Sequence, residues 1–194
     1  MALLPQEYCF SSGVYCEFRG IISRLQCLSK PNNREPPLTR IAIFADVQNI
    51  YYTTRQVFGR QFNYRAFWQQ ASELGEIVAA TAYATDRGDP QQQKFQEALR
   101  HIGFEVKLKP YIQRGDGSAK GDWDVGITID ALLCAEEVDQ VILLSGDGDF
   151  DLLLHTLRDR YQVYSHLFSV PGLTAQSLIK SADEWIAIDT ALLQ

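Results

Sequence analysis

The chain has 194 residues, of which 46% are hydrophobic, and a formal net charge of −6 at pH 7. This length predicts one domain with a modest extension, and the apolar content is enough for a substantial core. No apolar run approaches a membrane span, the first residues lack the segments of a signal peptide, and the four cysteines fit no zinc spacing. We therefore expect a cytoplasmic protein with reduced thiols and no membrane partner.

The first part of the chain differs in composition from the rest. It holds three of the four cysteines and ends in a segment rich in Pro and Asn, residues 30–37. Such a segment is typical of a linker. We predict that residues 1–38 are an N-terminal extension, partly disordered, and that residues 39–194 form the folded domain.

From residue 39 onward, apolar runs typical of strands alternate with helical patterns. Strands are predicted at residues 41–45, 77–84, 104–109, 141–144, 161–168 and 185–188. Helices are predicted from near Ile50, after caps at Asn63, Asp89 and Asp122, after residue 150, and over residues 174–182. The helix after Asp122 is expected to bury Val125, Ile129 and Leu132. This alternation predicts an α/β fold with a mostly parallel sheet and helices on both faces.

Acidic residues directly follow two of the predicted strands. Asp46 follows residues 41–45, and Asp147 and Asp149 follow residues 141–144 in the motif Ser-Gly-Asp-Gly-Asp-Phe. In open α/β sheets the active crevice lies beyond the carboxyl ends of the strands. Carboxylates packed there repel one another unless a proton or cation joins them. The pattern indicates a hard divalent cation, and it favours a site role for Asp46 over the alternative of a helix cap.

A third acidic segment, Lys-Gly-Asp-Trp-Asp-Val at residues 120–125, opens a predicted helix. Asp124 lies in the first turn and is expected to point into the site. Asp130 lies roughly 120° away around the helix, which places it at the rim or in solvent. Asp122 is better suited to an N-cap than to a ligand. Trp123 is expected in the core, with stacking on a base as the alternative.

Basic and acidic residues are unevenly distributed along the chain. Residues 51–120 carry ten Lys or Arg and seven Asp or Glu, whereas residues 121–194 carry three and thirteen. An acidic, cation-filled centre beside a basic rim suits a polyanionic substrate. Lys120, Arg114 and Arg87 are the residues we expect to hold its phosphate backbone.

The three acidic segments together resemble the LabA-like group of the NYN domain family, which is related to PIN-domain nucleases. The resemblance covers residues 39–189 and includes Ser-Ala-Asp-Glu-Trp-Ile at residues 181–186. It implies a PIN-like three-layer α/β/α sandwich and a ribonuclease that uses Mg²⁺ or Mn²⁺. By motif, it implies catalytic and metal-binding roles for four aspartates, Asp46, Asp124, Asp147 and Asp149. It also implies that Asn49 is a polar support at the substrate, and an extra residue in the helix motif leaves Asp122 competing with Asp124.

The resulting prediction is a metal-dependent ribonuclease acting on RNA. One alternative is an RNA-binding or regulatory module of the same fold with little turnover. Another is an aspartyl-phosphate phosphatase with Asp147 as nucleophile and Asp149 as acid/base. The sequence leaves the oligomeric state open, and a homodimer is compatible with it.

Overall fold

A computed structural model describes residues 38–86, 88–110, 112–113, 119–120 and 122–194. The predicted extension lies outside the described residues except at its last position, so its boundary stays a prediction. Within the described ranges, no helix combines the length and the apolar character that a membrane crossing requires.

The centre of the domain is a six-stranded sheet in which every neighbouring pair is parallel. Its strands are β1 Arg40–Asp46, β2 Glu76–Asp86, β3 Glu105–Pro110, β6 Gln140–Leu144, β7 Tyr164–Ser169 and β8 Glu184–Ala187. Two short strands, β4 Ile112–Gln113 and β5 Ala119–Lys120, form a separate antiparallel pair. The order across the main sheet is β3-β2-β1-β6-β7-β8, so β3 is the edge strand that its alternating sequence predicts.

Six α-helices are present in the described part of the chain. They are α1 Val47–Phe58, α2 Tyr64–Leu74, α3 Pro90–Ile102, α4 Asp124–Cys134, α5 Asp151–Thr156 and α6 Gln176–Ser181. The predicted caps of α2 and α3 are present: Asn63 accepts a hydrogen bond from the backbone N–H of Ala66, and Asp89 accepts one from that of Gln91. Helix α1 begins three residues before the predicted Ile50, because Asp46 caps it directly.

The sheet separates two buried clusters. Side chains alternate along a strand, so Ile41 and Ile43 of β1 pack into one cluster, while Ala42 and Phe44 pack into the other. The first cluster includes buried residues of α1, α2 and α3. The second includes buried residues of α4, α5 and α6. This confirms the predicted α/β fold with a PIN-like arrangement of helices on both faces of a parallel sheet.

The predicted buried face of α4 is wrong for Val125 and Ile129, whereas the third predicted residue, Leu132, is partly buried against the second cluster. Val125 and Ile129 are 69% and 51% exposed, whereas Ile127 and Ala131 are fully buried. Apolar residues occur on several sides of this helix, so their periodicity does not specify which side meets the sheet. The outcome was decided by packing against the second cluster.

The end of the helix after residue 150 was also predicted incorrectly. Helix α5 continues as a π-helical segment, Leu157–Tyr161, and β7 begins at Tyr164 rather than at residue 161. Leu157 is buried in the second cluster, which accounts for the extra helical residues. The apolar and aromatic residues near position 161 fit either a helix or a strand, and local pattern does not separate the two.

We propose that the folded domain does not require the N-terminal extension. Both buried clusters contain complete strand and helix layers from within residues 41–193. A chain lacking residues 1–37 is therefore expected to unfold cooperatively, with a denaturation midpoint close to that of the full chain. Tryptophan fluorescence in urea checks this, since Trp68, Trp123 and Trp185 all remain. A non-cooperative transition in the shortened chain would show that residues 1–37 contribute to the folded core and that the predicted boundary is wrong.

Candidate active site

The acidic residues lie where the strand order of the sheet reverses. From β1 the chain proceeds to β2 and β3 on one side, and it later returns to place β6 on the other side of β1. Ala45 of β1 pairs with Leu144 of β6, so both strands end at the same level. Asp46 is the last residue of β1, and Asp147 follows β6 by three residues. This is the topological position at which open α/β sheets bind ligands.

Three carboxylates converge at this position. One oxygen from each of Asp124, Asp147 and Asp149 lies within 4.8 Å of the other two. Asp124 comes from the first turn of α4, and the other two come from the loop and turn after β6. Asp124 and Asp147 are half-buried, whereas Asp149 is exposed, so the group faces solvent. We call these three residues the acidic cluster.

Asp46 lies beside the acidic cluster and is only 8% exposed. Its Oδ1 accepts hydrogen bonds from the backbone N–H groups of Gln48 and Asn49, at 3.1 and 3.0 Å. Burial first, and then the charges of Asp124 and Asp147, raise the pKa of Asp46 to about 6, while the two N–H donors oppose that rise. The residue therefore serves as the helix cap that the sequence prediction set aside, and it also contributes to the field of the acidic cluster.

The acidic cluster is electrostatically suited to a cation. Partial burial first, and then the charges of Asp147, Asp122 and Asp149, raise the pKa of Asp124, although Lys109 acts in the opposite direction. Carboxylates in this relation repel one another until a cation or proton intervenes. All the available ligands are carboxylate oxygens, which suit hard divalent ions. The residues present therefore fit the predicted Mg²⁺ or Mn²⁺.

Three interactions hold the loop that carries Asp147. Asn49 accepts a hydrogen bond at Oδ1 from the backbone N–H of Gly146, at 2.9 Å, and so ties the start of α1 to this loop. Gly146 also lies tightly against the chain, since a Cβ there would be 2.7 Å from the carbonyl oxygen of Leu173. Asp147 Oδ1 accepts the backbone N–H of Asp149 at 3.1 Å. The predicted supporting position of Asn49 thus has a structural counterpart in the loop.

Sequence reasoning missed a basic residue near the acidic cluster. Lys109 of β3 donates from Nζ to the backbone oxygen of Asp122 at 2.8 Å, and its Nζ lies 4.2 Å from the centroid of the Trp123 ring. The Trp123 indole N–H donates to the carbonyl oxygen of Ala84 at 2.9 Å. The alternation of Lys107 and Lys109 along β3 was the available signal, because it places both ammonium groups on one side of the strand.

Asp130 is paired and does not belong to the acidic cluster. Its Oδ2 accepts hydrogen bonds from Lys107 Nζ and from the Tyr83 hydroxyl, each at 2.7 Å. Partial burial opposes ionisation of Asp130, but these two bonds lower its pKa overall. Asp130 therefore makes fixed contacts with β2 and β3, which differs from the prediction that it faces the rim or solvent.

The other predicted residues have different outcomes. Asp122 is not the predicted cap: α4 begins at Asp124, preceded by Trp123, and no side chain in the described part of the chain caps it. Arg87 and Arg114 lie outside the described residues. The backbone of Lys120 lies in β5, and the position of its side chain is not described.

The packing of Trp123 leads to a test at the start of α4. A Cβ on Gly126 would lie 2.7 Å from Cε3 of the Trp123 ring. Replacing Gly by Ala inside a helix normally stabilises by about 1 kcal/mol, whereas overpacking costs about 1–3 kcal/mol. We expect Gly126→Ala to lower the free energy of unfolding by about 1 kcal/mol, measured in urea. In a Trp123→Ala background the same change should stabilise, and stabilisation in the wild type would contradict the packing argument.

The fold and this site define the class of the protein. It is an α/β domain whose parallel sheet presents clustered carboxylates at the carboxyl ends of its strands. The family described as the NYN domain matches residues 40–189, and the chain belongs to this family.

Two known proteins are similar over most of the chain. The low amplitude and bright protein LabA of Synechococcus elongatus is 31% identical over 159 residues, covering 78% of this chain and 84% of LabA. The crystal structure of a Vibrio parahaemolyticus protein of unknown function is 53% identical, with a TM-score of 0.77, and covers 81% of this chain and 97% of that one. The predicted membership of the LabA-like group is confirmed.

Proposed function

We propose that this domain is a metal-dependent ribonuclease that hydrolyses phosphodiester bonds at the acidic cluster. The observation that carries the proposal is the convergence of Asp124, Asp147 and Asp149, with one oxygen of each within 4.8 Å of the others. Membership of the NYN family, whose relatives are PIN-domain nucleases, supports RNase-type chemistry.

The acidic residues have two different roles in this proposal. Asp124, Asp147 and Asp149 would hold Mg²⁺ or Mn²⁺, and the buried Asp46 would add negative charge behind them. A divalent cation in such a site supplies polarisation of a phosphoryl oxygen and a nucleophilic water. Asn49 keeps the loop of Asp147 in place through Gly146, so the carboxylates need not reorganise when substrate arrives.

Positive charge near the acidic cluster would hold the substrate backbone. Lys109 is the described basic residue that acts on Asp124, and this half-buried residue has its ammonium group 4.2 Å from the centroid of the Trp123 ring. An ammonium group in this position attracts a polyanion without neutralising the acidic cluster. Arg87, Arg114 and Lys120 remain proposed backbone contacts.

Cleavage of a mixed RNA pool tests the proposal. We expect fragments in Mn²⁺ or Mg²⁺ and intact RNA in EDTA, with Asp147→Asn prepared in parallel as the control for contaminating nucleases. Bound but intact RNA in every metal would instead support a binding module with little turnover. Turnover of a small phosphomonoester such as p-nitrophenyl phosphate, abolished by Asp147→Asn, would support the phosphatase alternative.

A further inference from the structure

A cavity of about 560 Å³ opens between α1 and α3 at the carboxyl end of β2. Its volume lies in the range of small-molecule sites, roughly 300–1,000 Å³. Its wall includes Gln48 and Tyr51 from α1, Phe95 and Gln96 from α3, and Ala84 from β2. None of the functions assigned above uses this cavity.

The cavity adjoins the acidic site. Val47 and Gln48, which line it, directly follow Asp46 in the chain. Tyr64 also lines it, and the charge of Asp46, after burial, raises the pKa of Tyr64. A strand whose backbone crosses the acidic cluster could therefore place a neighbouring group in this cavity.

Gln96 is the least exposed amide side chain in the described wall. Gln96 is only 5% exposed, and its amide makes no hydrogen bond with any residue in the described part of the chain. No atom of Gln96 is among the fully buried and unpaired polar atoms of the described residues, so its amide is open to the solvent of the cavity that it lines. An amide offers both donors and an acceptor, so its complement is a ligand edge that carries both.

The rest of the described wall combines aromatic rings with uncharged polar side chains, mostly glutamines. Tyr51 and Phe95 line the cavity and are 44% and 38% exposed, and the Arg55 guanidinium lies 6.0 Å from the centroid of the Tyr51 ring. Among the described lining residues the only charged one is Asp89, and its carboxylate caps α3 through Gln91. The described wall thus offers ring surfaces and amide groups to a ligand. A neutral, planar ligand with hydrogen-bonding edges fits it.

We propose that this cavity binds one nucleobase of the RNA strand whose backbone crosses the acidic cluster. This rests on the proposed function and adds a base-binding subsite to it. Bases of single-stranded RNA are recognised when they splay out, stack on aromatic rings and form hydrogen bonds at their edges. Tyr51 and Phe95 supply the rings, and the amide of Gln96 supplies the hydrogen bonds.

The first experiment measures binding of a short, labelled single-stranded RNA in EDTA. Gln96→Met keeps the side-chain length and helix propensity but removes the amide, and we expect it to weaken binding about 5- to 10-fold. Gln93→Met is the matched control, since Gln93 is exposed on the same helix and does not line the cavity. It should leave affinity unchanged.

The second experiment locates the base. RNAs carrying one abasic position each are titrated against wild type and Gln96→Met. At one position, removal of the base should weaken binding to the wild type by about 10-fold or more. Removal of the same base should weaken binding to Gln96→Met only slightly, because the base and the amide act as a pair. Additive losses at every position would overturn the proposal.

Two further readouts separate the alternatives. Gln96→Met should be about as stable as wild type, since it replaces an amide that makes no hydrogen bond to a described residue by a side chain of similar length and helix propensity. Were it destabilised, Tyr51→Ala, which removes an exposed ring, provides the same binding test. Gln96→Met could weaken binding of free adenosine or uridine and leave RNA affinity unchanged. That result would overturn the RNA subsite and support a site for free nucleosides.

The outcomes also distinguish this inference from the nuclease proposal. Binding is measured in EDTA and so does not depend on cleavage. If the base and Gln96 are coupled in binding but RNA is not cleaved in Mn²⁺, the base-binding subsite is supported and the nuclease proposal is contradicted. If RNA is cleaved in Mn²⁺ but the base and Gln96 are not coupled, the nuclease proposal is supported and the subsite is contradicted.

Discussion

RNA cleavage by Asp147→Asn is expected to fall by more than about 100-fold, because removal of even an indirect partner of a metal ligand costs about 10- to 100-fold. Asparagine keeps the size of the side chain and an oxygen that can accept the backbone N–H of Asp149. It removes the negative charge that would bind the cation. Single-turnover cleavage of labelled RNA in Mn²⁺ measures the effect.

The control for this result is Asp159→Asn. Asp159 is exposed and lies outside the acidic cluster, and its ion pair with Arg158 is long, at 3.5 Å. Its cleavage rate should match that of wild type, and both variants should bind RNA in EDTA about as well as wild type. If Asp147→Asn and wild type cleave RNA at the same rate, Asp147 is not a catalytic metal ligand.

Saturating Mn²⁺ is expected to stabilise the wild-type fold by about 2.7 kcal/mol when its concentration is 100 times the dissociation constant. In the proposed site the cation would bind the assembled acidic cluster and not the unfolded chain. Asp124→Asn removes one of the three carboxylates and should lose most of this increment. Without metal the same variant should be as stable as wild type or slightly more so, since repulsion with Asp147 and Asp149 is relieved.

Urea denaturation with and without MnCl₂ measures both effects. Asp159→Asn should show the full wild-type shift, because a surface aspartate outside the acidic cluster does not hold the ion. A full Mn²⁺ shift in Asp124→Asn, or a marked loss of stability in its metal-free form, would exclude α4 as a source of a metal ligand.

The strand-end aspartates could be anticipated because two strong local signals coincide. Residues 41–45 and 141–144 are short apolar runs of the kind found in buried parallel strands, and an acidic residue follows each closely. Parallel strands present their carboxyl ends at one edge, so proximity follows from topology. Asp124 followed from its place in the first turn of a helix.

Features that depend on packing between distant segments could not be anticipated. The partners of Asp130 come from β2 and β3, and nothing near Asp130 in the sequence identifies Tyr83 or Lys107. The exposed face of α4 followed from how the helix meets the sheet, not from its own composition. The cavity beside Gln96 is lined by residues of α1, α3 and the end of β2, so it is a property of distant segments together.

The reversal of strand order has a consequence for when activity can arise during synthesis. The first three strands of the sheet emerge with Asp46 alone, and the acidic cluster needs α4 and the loop after β6. A nascent chain that ends before β6 pairs with β1 has no complete centre. The nuclease activity proposed above would therefore be absent beside the messenger that encodes the chain until most of the polypeptide has been made.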